Sequence, residues 1–177
     1  MKAADYSAGE RLRDGRTLEI RALRPADRAG LLASFERTSE ESRYRRFFAP
    51  KRKFSEREIE FYLNVDFVGH VALVAELEEG GQQVIAGGGR YIASEPGRAE
   101  VAFAVDDLHQ GLGIATRLMR HLVVIARAAG QRELFAEVLP DNASMLKVFA
   151  RCGLAATTRR EGGIVHVTMA LSAPQAR

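Results

Sequence analysis

A β-rich segment ending at Val105 runs into Asp106-Asp107-Leu108-His109 and then Gln110-Gly111-Leu112-Gly113-Ile114-Ala115-Thr116, where a helical pattern opens. Backbone N–H groups at a helix start lack intrahelical acceptors and carry the positive end of the helix dipole, so this junction suits a phosphate. Gly111 and Gly113 let the backbone approach a ligand closely, and Ala115 keeps the next turn thin. Two phosphate-binding loops are excluded. A Walker-type loop needs Gly-Lys-Ser/Thr, which is absent. A dinucleotide fingerprint needs Gly or Ala where Thr116 stands, in a first βαβ unit, and neither condition is met. The signature Gln/Arg-x-x-Gly-x-Gly/Ala is matched in full by Gln110, Gly113 and Ala115. The bland alternative is a glycine-rich helix entry with no ligand.

On these residues the sequence resembles the GNAT superfamily of acyl-CoA-dependent N-acetyltransferases. The resemblance continues in Asn142, Met145, Phe149 and Gly153-Leu154, at the spacing of the family's later motif. Upstream, Glu41-Ser42-Arg43-Tyr44-Arg45-Arg46-Phe47-Phe48, His70-Val71-Ala72-Leu73-Val74-Ala75 and Ala99-Glu100-Val101-Ala102-Phe103 look like the catalytic domain of bacterial protein lysine acetyltransferases of the Pat type. The similarity spans about Arg11 to Leu171. It implies acetyl-CoA as co-substrate and no metal. It sets the pantetheine arm beside Phe103, Ala104 and Val105, with the Val105 N–H able to polarise the thioester carbonyl. The pyrophosphate then lies on the N–H groups of Gly111, Leu112, Gly113, Ile114, Ala115 and Thr116, after Gln110. Asn142 is carried over as a contact to pantetheine or substrate, and it can equally cap the following helix.

An amine attacks a thioester only as the free base, and a free lysine has a pKa of about 10.4, so a group must take its proton. Glu100 is the candidate. On an alternating strand it shares a face with Ala102 and Ala104, while Val101, Phe103 and Val105 point the other way. The alternative is an exposed strand glutamate paired with an arginine; a strand glutamate is the base in the Pat resemblance. Many superfamily members place a tyrosine where Phe149 stands, and Phe149 has no proton for the leaving thiolate. Water can supply one, or a thiolate of pKa about 8.5 needs little help. Phe149 therefore reads as packing on the cofactor.

The elements that must position these residues follow from periodicity and punctuation. Arg11–Arg13, Asp14-Gly15 and Thr17–Arg21 read as a hairpin. Pro25 opens a helix to about Glu36, with Leu31, Leu32 and Phe35 on one face. Thr38 to Glu41 and Ser55 to Glu58 match the capping box and mark two short helices. Val71–Leu77 and Gln83–Ile92 pair through Glu79-Gly80-Gly81, and Gly87-Gly88-Gly89 marks a bulge or a close approach. Ala99–Val105 is the next strand, followed by a helix from Gly111 to Ala129 ended by Gly130. Its stripe of Ala115, Leu118, Met119, Leu122, Ile125, Ala126 and Ala129 is core. A strand at Glu133–Leu139, a helix from Asn142 to Arg151 and strands at Leu154–Arg160 and Ile164–Leu171 complete the pattern. Met1 to about Ala8 and Ser172–Arg177 read as loose ends. The expectation is one α+β domain over residues 1–177. The resemblance implies a three-layer α/β/α fold, whose mixed, mainly antiparallel sheet splays between Ala99–Val105 and Glu133–Leu139.

At 177 residues, 46% hydrophobic and 28% charged, the chain is excluded from collagen-like, disordered and disulfide-framework classes. The single cysteine, Cys152, fits a reducing cytoplasm. No apolar run is long enough for a membrane span, and Met1–Glu10 lacks an apolar signal core. A net charge of +3 suits a phosphorylated ligand or an acidic partner and is too small to argue for nucleic acid. His70, His109, His121 and His166 show no ligand spacing with Cys152, so no metal site is expected. The expected function is acetyl transfer to a protein lysine, with acyl-CoA synthetases the target class by analogy with Pat. The alternatives are a small-molecule amine acetyltransferase, walled by Arg43–Phe48, and an acyl-CoA-sensing module that does not transfer.

Overall fold

The run His70–Glu79 buries both of its faces. Val71, Leu73, Ala75 and Leu77 join one apolar cluster, and Ala72 and Val74 join another with Leu23 and Ile85. A strand buried on both sides needs a layer over each, and the result is helices on both faces of one sheet. The computed structural model describes residues 1–171; the expected loose end Ser172–Arg177 lies outside the described residues. The strands are β1 (Ser7–Arg11), β2 (Thr17–Ala22), β3 (His70–Glu79), β4 (Gln82–Glu95), β5 (Arg98–Val105), β6 (Glu133–Val138), β7 (Ala155–Glu161) and β8 (Ile164–Ala170). They form an open eight-stranded sheet in the order β1-β2-β3-β4-β5-β6-β8-β7. Every pairing is antiparallel except β5 with β6.

The helices are α1 (Arg28–Glu36), α2 (Glu40–Phe47), α3 (Glu56–Leu63), α4 (Ile114–Ala128) and α5 (Ala143–Ala150). Leu31 of α1 and Leu63 of α3 pack on the Ala72–Val74 face. Leu118, Met119 and Leu122 of α4 pack on the opposite face. Ser55 caps α3 in the expected box with Glu58.

Four local expectations need correction. The N-terminus is not a loose end, because β1 begins at Ser7 opposite Arg21, and Ala3 and Tyr6 pack against the core. The cap of α2 is Ser39 rather than Thr38: Ser39 Oγ accepts from the Ser42 N–H, while Thr38 Oγ1 turns back to the Ser34 carbonyl. The long helix starts at Ile114, not Gly111, since Gly113 holds a φ of 78° and serves as its N-cap. Within its stripe Ala129 is exposed and Ala115 half-buried, so only the middle of that stripe is core.

The triple glycine is a close approach, and the bulge lies immediately before it. Across β3 the register shifts so that Ala75 faces Gly87 and Glu76 faces Ile85, leaving Ala86 as the extra residue. A Cβ on Gly87 would lie 2.4 Å from the Ala104 carbonyl oxygen and 2.9 Å from Val105 Cα. Both are backbone atoms of β5, which cannot yield cheaply. Gly87→Ala therefore destabilises the protein by about 2 kcal/mol through overpacking, a loss of about 4–8 °C in Tm. Gly9→Ala, where nothing lies within 4 Å and φ is not in the left-handed region, serves as the control in the same melts.

Candidate active site

The parallel pairing of β5 with β6 lasts only from Arg98↔Glu133 to Glu100↔Phe135. Beyond Glu100 the two strands separate, and the sheet splays as expected. The Asp106 N–H donates to the Ala86 carbonyl on β4. Because N–H directions alternate along an extended strand, the N–H groups of Phe103 and Val105 point to the other edge, into the gap. An extended ligand can pair with that edge as an added half-strand.

The gap opens into a cleft of about 630 Å³ that runs from α1, α2 and α3 to the start of α4 and along α5. Its lining includes Glu100, Phe103, Ala104, Val105, Gln110, Gly111, Gly113, Ile114, Ala115, Thr116, Asn142 and Phe149. Of the expected site residues only the Leu112 side chain stays outside the lining, packing against the core instead. The alternation of β5 is as expected: Val101 and Phe103 are buried, whereas Glu100 and Ala104 are exposed on the cleft face. The apolar face of α1 also has a different use from the one its pattern implied. Leu31, Leu32 and Phe35 are half-buried and wall the cleft.

At the far end of β5, the first intrahelical bond of α4 runs from the Arg117 N–H to the Gly113 carbonyl. The N–H groups of Gly111 to Thr116 precede it, which is the arrangement a pyrophosphate requires. Gly111 and Gly113 both hold φ of 78°. The loop is held from both sides. Arg117 donates to the carbonyls of Leu112 (3.3 Å), Gly113 (3.1 Å) and Arg11 (2.6 Å). Gln110 Nε2 donates to the Val105 carbonyl (3.2 Å) and Ser42 Oγ (3.3 Å), so it ties the end of β5 to α2.

A buried network that the sequence did not reveal sits beneath this loop. His109 is 2% exposed, with Nδ1 2.6 Å from Asp106 Oδ1 and Nε2 2.7 Å from Glu79 Oε1. Arg37 donates to Asp106 (2.9 Å) and to the Ile85 carbonyl (2.7 Å). The hydrogen bond from His109 holds the Glu79 carboxyl below the usual range. Asp106 and His109 sit three residues apart in one turn, but Glu79 and Arg37 come from two other segments, so no local spacing could have grouped all four.

Asn142 Oδ1 accepts from the Met145 N–H (3.2 Å) and caps α5, while its side chain also lines the cleft. Phe149 is 2% exposed, with its ring centroid 6.0 Å from that of Phe103, so its first packing partner is the strand floor. His121 bonds Tyr6 and Glu10, and Cys152 is half-buried with its sulfur 3.9 Å from that of Met169. Among the described residues no group of three or more His, Cys, Asp or Glu is placed to hold a metal ion. No helix among them is long and apolar enough to cross a membrane.

Next to Glu100, Arg46 of the Arg43–Phe48 segment lines the cleft, together with Tyr62 and Arg90, which the sequence did not single out. The strand register was the available signal: Arg90 faces Ala102, one pleat from Glu100. Arg90 donates to His70 Nε2 at 2.8 Å. Burial, with Arg90 beside it, lowers the His70 pKa from 6.5 to about 4. As pH falls from 6.5 towards 4, the unfolded chain takes up this proton and the folded one does not, so stability declines across that window. Imidazole NMR should find His70 neutral at pH 5.5, where an exposed histidine is charged.

The description "Acetyltransferase (GNAT) family" matches residues 31–154. An acetyltransferase of Pseudomonas aeruginosa is 34% identical over 137 residues, 77% of this chain and 74% of its own length. Acetyltransferase Pat of Mycolicibacterium smegmatis is 33% identical over 156 residues, 87% of this chain; the chain spans 46% of that relative's length. The crystal structure of the GNAT domain of S. lividans PAT superposes with a TM-score of 0.84 at 37% identity, covering 93% of this chain and 96% of that one.

Proposed function

Since the chain belongs to the GNAT acetyltransferase family, whose members use acetyl-CoA, we propose that it acetylates a lysine side chain on a protein partner. By analogy with Pat, the partner class is an acyl-CoA synthetase. The observation that carries the reading is the exposed Glu100 carboxylate on the cleft face of β5, where β6 departs and leaves room for an amine.

The residues present fit acetyl-CoA. The free edge at Phe103 and Val105 accepts an amide-bearing arm, and the N–H groups before Arg117 accept a pyrophosphate. Asn142 and Phe149 line the cleft beyond them. When bound, acetyl-CoA supplies the thioester whose acyl group forms the new C–N bond as its C–S bond breaks. The Val105 N–H is oriented to stabilise negative charge on the carbonyl oxygen. Glu100 takes the proton that the lysine must lose. Phe149 cannot return a proton to sulfur, so that proton comes from water, or coenzyme A departs as the thiolate anion. A single free Cys152 supports a cytoplasmic location, and the modest basic excess favours an acidic protein surface over nucleic acid.

The test is lysine acetylation by mass spectrometry, with acetyl-CoA and a purified acyl-CoA synthetase, alongside Glu100→Gln. Site-specific acetylation that collapses in the variant is the expected result. Absence of acetylation on every protein offered, with thiol release from amine metabolites instead, moves the acceptor to small molecules. Acetyl-CoA binding with no transfer to either class would make the chain a sensing module.

A further inference from the structure

Arg46 on α2 and Arg90 on β4 line the Glu100 end of the cleft, and among the described residues neither has a carboxylate within ion-pair distance. Their direct contacts are aromatic rings and neutral acceptors. The Arg46 guanidinium lies over the Phe47 ring, 4.9 Å from its centroid. That of Arg90 lies over Tyr62 (4.5 Å) and bonds only the Tyr62 carbonyl (3.3 Å) and His70 Nε2 (2.8 Å). Burial pushes both guanidinium groups below their usual range, Arg90 to about 10; the Arg46 charge lowers Arg90 further, while Glu100 partly offsets the shift at Arg46.

Half-buried charges in native proteins are normally paired, and two like charges without partners signal a ligand of opposite sign. Acetyl-CoA's phosphates do not supply it. The N–H groups suited to them lie beyond Val105, whereas Arg90 faces Ala102, about 10 Å back along the strand. Among the described residues two carboxylates line the cleft, Glu100 and Glu137; Glu137 lies 3.6 Å from His166 Nδ1 on β8, and the role of Glu100 as base leaves the two guanidinium charges without an acid of their own. A lysine arrives as an ammonium ion, which this field repels; a carboxylate travelling with it offsets the repulsion and can accept from the arginine forks.

We propose that Arg46 and Arg90 form an anion-recognition subsite, and that the acceptor carries a carboxylate close to its reactive amine. The proposal rests on the reading of Glu100 as base and of an amine as acceptor. The carboxylate can come from an Asp or Glu flanking the target lysine, or from a free amino acid's own α-carboxylate.

Two matched pairs separate these sources: a peptide with lysine flanked by Asp against the same peptide with Asn, and free lysine against lysine amide. With the full chain and acetyl-CoA, kcat/KM should favour the acidic member of one pair by about tenfold or more, the range of a charge-assisted hydrogen bond. In Arg46→Gln that ratio should fall to about twofold or less, with partial retention in Arg46→Lys, which keeps the charge without the fork. Equal rates within both pairs, or a preference unchanged in Arg46→Gln, overturn the subsite. A binding readout separates this from failure of the acetyltransferase reading. Fluorescent peptides with norleucine in place of lysine cannot react, and tighter binding of the acidic one, lost in Arg46→Gln, upholds the subsite even if no peptide is acetylated. Equal anisotropy curves for the two overturn it. Thermal melts with and without acetyl-CoA verify that the variants fold and hold the co-substrate.

Discussion

Glu100→Gln lowers kcat/KM for the amine acceptor by about 10²–10³, within the range for removal of a general base, and leaves acetyl-CoA affinity within about twofold. The side chain is exposed on the cleft face and, among the described residues, has no hydrogen-bond or ion-pair partner to lose, so folding is unaffected. The pH profile makes the test sharper. At pH 7 about one lysine in 2,500 is uncharged, from a pKa of about 10.4. Without the carboxylate the reaction must draw on that fraction, so log kcat/KM in Glu100→Gln should rise by about one per pH unit between pH 7 and 9. The two proteins then converge at high pH. A variant with wild-type rates across that range would remove Glu100 from the chemistry, and one that no longer binds acetyl-CoA would assign it to the co-substrate instead.

Asp27→Ala is expected to cost about 3 kcal/mol of stability, the lower end for breaking a buried ion pair, and so about 6–12 °C in Tm. Arg21 is 4% exposed and Asp27 7%, and the guanidinium grips the carboxylate with two bonds of 2.9 and 2.8 Å. Asp27 also accepts from the Arg24 N–H at 2.7 Å, fixing the turn from which α1 starts. The lower end applies because Arg21 keeps Glu76, 2.6 Å away. Burial pushes the Asp27 carboxyl up, but the Arg21 and Arg24 bonds outweigh it and hold it below its ordinary 3.8. This contribution is therefore present above pH 3.8 and lost as pH falls through the lower folded value. Denaturant melts should show the gap between wild type and Asp27→Ala narrowing from pH 7 to pH 3. A constant gap would mean that packing rather than charge sets the cost. Because α1 walls the cleft with Leu31, Leu32 and Phe35, the variant should also bind acetyl-CoA more weakly at temperatures where α1 loosens.

Local order determined a large part of this protein in advance. The period-two alternation from Ala99 to Val105 named both the buried face and Glu100's exposed one, because a strand has no other way to display its side chains. Gln110, Gly113 and Ala115 located the turn before α4, because a left-handed φ at a helix entry is written in glycine. Where chain direction turns on one residue, as at Ser39 against Thr38, two adjacent hydroxyls offered the same local signal and tertiary contacts chose between them. The remainder was decided only by the assembled sheet. The parting of β5 from β6 after Glu100, the bond from His109 to Glu79, and the meeting of Arg46 and Arg90 beside the base all join residues distant in the chain. Pairing across such distances depends on register and on which helix covers which face, and neither is carried by the neighbours of any one residue.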